Sequence, residues 1–170
     1  MDKGSHDSKQ FFQMMEKFQK FVGYTLKLFH IVRNPYDNIA TLYLYSISKE
    51  TRKEAFKNNR TFEASEGLKN SAINHIASFK KIQRHIDYFG ERLITLYNED
   101  LISNPKLFLK RMCNHMEIYC NEYYRDKAYD KVFSSATKSR HSVEWKKDVK
   151  KMVDTAIKRY SFLNRYSFEN

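Results

Sequence analysis

Glycine is nearly missing from this chain: Gly4, Gly23, Gly67 and Gly90 are the only four in 170 residues. They are scattered, so neither GxxxxGK[ST] nor GxGxxG can be written, and a glycine-rich phosphate loop is excluded within this sequence. Cysteine is scarcer still. Cys113 and Cys120 stand without a second pair, which excludes a disulfide-dense scaffold and a Cys-rich zinc module. No run of about 18 apolar residues occurs, so no membrane-spanning helix is expected. The opening MDKGSHDSKQ lacks the apolar core of a signal peptide and is polar enough to be expected frayed. Acidic residues are in deficit, 20 against 31 Lys and Arg, for a formal net charge of +11.

What is present is a core. Hydrophobic residues make up 41% of the chain and aromatics 15%, too rich for a disordered polymer and enough for one domain. Phe11, Met14, Met15, Phe18 and Val22 fall at helical spacing and end at Gly23, a plausible C-cap. Residues 1–25 therefore form a polar N-terminus with a short helix. Leu26–Val32 is a short apolar run closed by a turn signal, which predicts a strand. Asn34-Pro35 supplies an N-cap and an N1 proline, with Asp37 in the first turn. The helix that follows is expected to turn Ile39, Leu42, Tyr43 and Ile47 inward. Residues 49–66 are polar and irregular, a surface excursion containing the sequon Asn59-Arg60-Thr61.

Residues 67–89 carry Leu68, Ala72, Ile76, Phe79, Ile82, Ile86 and Phe89 at three- and four-residue steps, a long amphipathic helix stopped by Gly90. Leu93–Tyr97 is a second strand candidate. Asn104-Pro105 then repeats the cap signal before a helix bearing Leu107, Phe108, Met112 and Met116. A last helix over 143–160 is expected to carry Trp145, Val149, Met152, Val153, Ala156, Ile157 and Tyr160 on its apolar side. Strand, helices, strand, helix is the order of an α/β layer with a parallel sheet.

Most candidate chemistry is weak. The six histidines show no ligand spacing and no HExxH, so no metal is expected. Glu99 and Asp100 follow a strand, where neighbouring side chains point to opposite faces, which argues against a shared acid/base pair. Between Lys138 and Arg165 lie nine basic residues against Glu144, Asp148 and Asp154. Such a face keeps open a second function, a non-catalytic basic helical module that binds nucleic acid or another polyanion, although no nucleic-acid module is visible.

Arg33 is different. It stands at the carboxyl end of a strand and immediately before a helix N-terminus, where free N–H groups face outward. Thr41 lies eight residues on, roughly 10 Å along the helix axis. A guanidinium and a hydroxyl so placed can grip one phosphate. The plainer alternative pairs Arg33 with Asp37 as a surface helix-start residue.

The segment VRNPYDNIAT resembles the 3′-phosphate motif of sulfotransferases that use 3′-phosphoadenosine 5′-phosphosulfate (PAPS). Three further stretches are similar to that family in order and spacing. These are Leu93–Leu101 (LITLYNEDL) with Asn104-Pro105, Ser135–Trp145 (SATKSRHSVEW), and Tyr160–Leu163 with Tyr166-Ser167-Phe168. The resemblance covers residues 26–170. It implies an α/β fold, part of a P-loop-like sulfotransferase domain that is mostly helical with a small parallel-sheet remnant. It implies PAPS as sulfuryl donor, a hydroxyl or amine acceptor, and a nucleotide grip made by Arg33 and Thr41 with Lys138 and Arg140. The basic pair and glycine that the family places before its Trp are not intact here, since Ser139 intervenes between Lys138 and Arg140. The family's 5′-phosphosulfate loop, and its catalytic base, are expected upstream of Arg33 and have no counterpart in the 32 residues there. The chain therefore resembles the C-terminal part of such a domain, with its catalytic residue and compartment (cytosol or Golgi lumen) left open.

Overall fold

A computed structural model describes residues 3–58, 60–63, 65–129, 135 and 137–170. The described chain is mostly helical around one small parallel sheet. In order it runs α1 (Lys3–Val22), β1 (Leu28–Val32), α2 (Pro35–Ser46), α3 (Lys49–Lys57), α4 (Glu66–Phe89), β2 (Leu93–Tyr97), α5 (Asn98–Ser103), α6 (Pro105–Met116), α7 (Glu122–Tyr129) and α8 (Lys147–Arg159). Single 3-10 turns occupy Gly90–Arg92, Ser139–Ser142 and Ser161–Leu163. Asn59 of the sequon lies outside the described residues.

The helix starts follow their caps. Asn34 Oδ1 accepts the Tyr36 N–H at 3.0 Å, and Asn104 Oδ1 accepts that of Leu107 at 3.1 Å, each with proline in the first helical position. Gly90 ends α4 at φ +50°, a backbone conformation that a side chain disfavours. The strands pair in parallel, Leu28 opposite Leu93 through Val32 opposite Tyr97. Parallel pairing needs a long crossover, and α2, α3 and α4 supply it. One core joins Tyr36, Ile39 and Ala40 of α2, Leu68, Ala72 and Phe79 of α4, and Val149, Val153, Ala156 and Ile157 of α8.

Several expectations change. Residues 3–10 are not frayed: α1 is helical from Lys3. The polar excursion contains α3, started by Ser48, whose side chain accepts the Thr51 N–H. On α2, Leu42 faces outward at 48% exposure while Ala40 and Leu44 turn in. The last helix starts at Lys147, so Trp145 precedes it. Val143 instead belongs to a bridge with Phe62. Cys113 and Cys120 pair with each other in a disulfide across the turn that ends α6.

His75 on α4 packs its ring edge-to-face on Phe79 and lies 3.4 Å from Asn38 Nδ2 on α2. Burial lowers its pKa from 6.5 to about 4. The unfolded chain therefore takes up a proton near pH 6.5 that the folded chain refuses until about pH 4. Stability contributed by neutral His75 is present above pH 6.5 and is lost as pH falls toward 4. The expected loss is about 3 kcal/mol, and His75→Gln should remove most of that slope. Urea melts of both proteins at several pH values between neutral and acid check this.

Candidate functional site

The site forms where β1 gives way to α2. Val32 is the last residue of β1, and Arg33 bridges it to the capped start of α2. The junction is held from below by Glu99, in the first turn of α5. Its Oε1 accepts the Asn34 N–H at 2.9 Å and its Oε2 accepts the Tyr166 hydroxyl at 2.6 Å. Burial and this carboxylate raise the Tyr166 phenol above its ordinary range. Asp100 turns away and pairs with Arg165 at 2.8 Å. The two adjacent acids thus serve different elements.

Arg33 does not pair with Asp37. Its Nη1 donates to Thr41 Oγ1 at 3.3 Å, and its Nη2 donates to the Thr137 carbonyl at 2.7 Å and to Ser139 Oγ at 3.4 Å. Thr41 Oγ1 in turn donates to Ser139 Oγ at 3.0 Å. An extended arginine side chain spans the two helical turns between Arg33 and Thr41, so the eight-residue spacing becomes a direct contact. Ser139 only accepts in these bonds, which leaves its own proton for an incoming oxygen. One guanidinium and two hydroxyls converge on a small volume at a strand end. That set suits a phosphate, which accepts bidentate arginine and short hydroxyl bonds.

Asp37 takes Arg140 instead. Its Oδ1 accepts the Arg140 backbone N–H at 3.0 Å and its Oδ2 accepts Nη1 at 2.8 Å. Arg140 is 1% exposed and Asp37 4%. The Arg140 carbonyl accepts the Trp145 indole N–H at 2.9 Å, and Trp145 packs edge-to-face on Tyr36. Tyr36 closes this arrangement by donating to Asp154 Oδ1 at 2.8 Å, and burial followed by that carboxylate raises its phenol.

The four residues expected to hold a nucleotide phosphate are thus divided. Arg33 and Thr41 meet. Arg140 lies behind them in an ion pair that anchors the turn. Lys138 is exposed and lines, with Arg140 and Arg165, a separate cavity of about 170 Å³. Ser139, which lies between the two basic residues that carry the resemblance, is the member of that turn that reaches Arg33. Alternation within TKSR offered the only available signal: two flanking basic residues cannot both face the position that Ser139 takes.

The Arg33 cluster lines one end of a cleft of about 560 Å³. No group of His, Cys, Asp and Glu among the described residues could hold a metal ion. No helix among them is long and apolar enough to cross a membrane. No family model, no curated protein and no solved structure matches the chain.

Proposed function

We propose that this chain carries the 3′-phosphate grip of a PAPS-dependent sulfotransferase domain. One observation supports the reading most: Arg33, Thr41 and Ser139 converge at the carboxyl end of a parallel strand, in the segment that resembles the family motif. The donor set fits a phosphate monoester. Arg33 brings charge and two parallel N–H directions, while the hydroxyls bring short, orientable bonds. Bound PAPS supplies the sulfuryl group that a hydroxyl or amine acceptor receives. The residues described here bind and orient its ribose 3′-phosphate end. The finer fold assignment, part of a P-loop-like sulfotransferase domain, belongs to the same proposal.

The +11 charge also suits a polyanion surface, and the experiment separates the two. The chain is titrated calorimetrically with adenosine 3′,5′-bisphosphate and, separately, with double-stranded DNA. The proposal expects saturable one-site binding of the bisphosphate. Absence of bisphosphate binding, together with salt-dependent DNA binding unchanged by Arg33→Ala, would establish the polyanion module in its place.

A further inference from the structure

The phosphate grip occupies only one end of its cleft. The cleft continues along α2 past Thr41 to Tyr45, one helical turn or about 6 Å further on. Leu44, Phe56, Leu101 and Ile102 give the cleft its apolar lining. Arg52 of α3 lies there, its guanidinium carbon 5.0 Å from the centroid of the Tyr45 ring. The ring attracts the cation without accepting a hydrogen bond in its plane, which leaves the Nη groups for an acceptor. The Arg52 Nε is closed off from solvent and has no hydrogen-bond partner among the described residues. The cation therefore meets an incoming acceptor through its Nη groups. Among the described residues no carboxylate lines the cleft, while two arginines, Arg33 and Arg52, do.

We infer that the Arg52 end is a second anion subsite, built for an apolar or aromatic body that ends in a carboxylate. The apolar walls bury the body, Tyr45 holds the guanidinium, and Arg52 donates to the carboxylate from its Nη groups. This rests on the sulfotransferase reading only in making the carboxylate-bearing molecule the acceptor. The subsite itself stands on the cleft.

The test uses naphthoate and its neutral isostere naphthamide. Both are titrated into the full chain, with and without saturating adenosine 3′,5′-bisphosphate. The inference expects naphthoate to bind about tenfold more tightly than naphthamide, since a charge-assisted pair is lost with the charge. It expects Arg52→Gln to abolish that preference while leaving bisphosphate affinity intact, and Arg33→Ala to do the reverse. Equal binding of the two probes by the wild-type chain would overturn it, whether or not the variant folds. So would a preference that survives Arg52→Gln, or displacement of naphthoate by the bisphosphate, which would make Arg52 part of the nucleotide site. Naphthoate binding without bisphosphate binding would keep the subsite and remove the sulfotransferase reading. The opposite pattern would do the opposite.

Discussion

Asp37→Ala lowers folding stability by about 3–5 kcal/mol, the effect expected when one partner of a buried ion pair is removed. Asp37 accepts two hydrogen bonds from Arg140, one from the backbone and one from Nη1, and both side chains are almost fully enclosed. Truncation strands a guanidinium that already has two unpartnered buried nitrogens, Nε and Nη2. The magnitude comes from that stranded charge rather than from the worth of the pair. A second substitution tests this. In an Asp37→Ala, Arg140→Leu background the charge is gone, and most of the loss should be recovered. The measurement is the denaturant midpoint of the wild-type chain and of both variants. The single substitution should also weaken nucleotide binding, because Arg140 anchors the turn on which Ser139 stands.

Arg33→Ala should weaken adenosine 3′,5′-bisphosphate binding by about 100-fold, with little change in stability. A charge-assisted hydrogen bond contributes about 1.5–3 kcal/mol, and the guanidinium directs its N–H groups at the site as a unit. Stability changes little because the half-buried Arg33 is paired with hydroxyls and a carbonyl, which water can replace, and not with a buried acid. Thr41→Ala and Ser139→Ala each remove a neutral bond, worth about 1 kcal/mol or about fivefold in affinity. Ser139 should therefore rank with Thr41. Lys138→Ala should have a smaller effect than either, since its side chain lies outside the cluster. Parallel calorimetric titrations of the four variants give the ranking.

The frame of the site was legible because it rests on local rules. Asn34-Pro35 and Asn104-Pro105 mark helix starts by satisfying free N–H groups. Two short apolar runs joined by a long helical crossover predict a parallel pair, and Gly90 marks a stop. The details that depend on non-local packing were hidden. Asp37 has two candidate arginines, and only tertiary structure brings Arg140 from 103 residues away to outcompete the near neighbour Arg33. Leu42 and Leu44 are equally apolar, and the position of α4 decides which is covered. Helix α3 was concealed for another reason. KETRKEAFK has little apolar periodicity and forms on helix propensity and the Ser48 cap, neither of which a polarity pattern shows. Trp145 has the spacing of a helix residue but is spent on the Arg140 carbonyl before the helix starts. Ser139 was obscured by chemistry itself: beside two cations, a serine draws less notice than its neighbours.

The central claim is that the Arg33 cluster recognises a ribose 3′-phosphate. Its most direct test is the ratio of dissociation constants for adenosine 5′-monophosphate and adenosine 3′,5′-bisphosphate, measured in the wild-type chain and in Arg33→Ala. The two nucleotides differ only in the phosphate assigned to the cluster. The account predicts a wild-type preference for the bisphosphate of at least about 100-fold, falling by about 100-fold in Arg33→Ala to what the Thr41 and Ser139 hydroxyls still contribute. Equal affinities in the wild-type chain, or a preference that Arg33→Ala leaves in place, would contradict it.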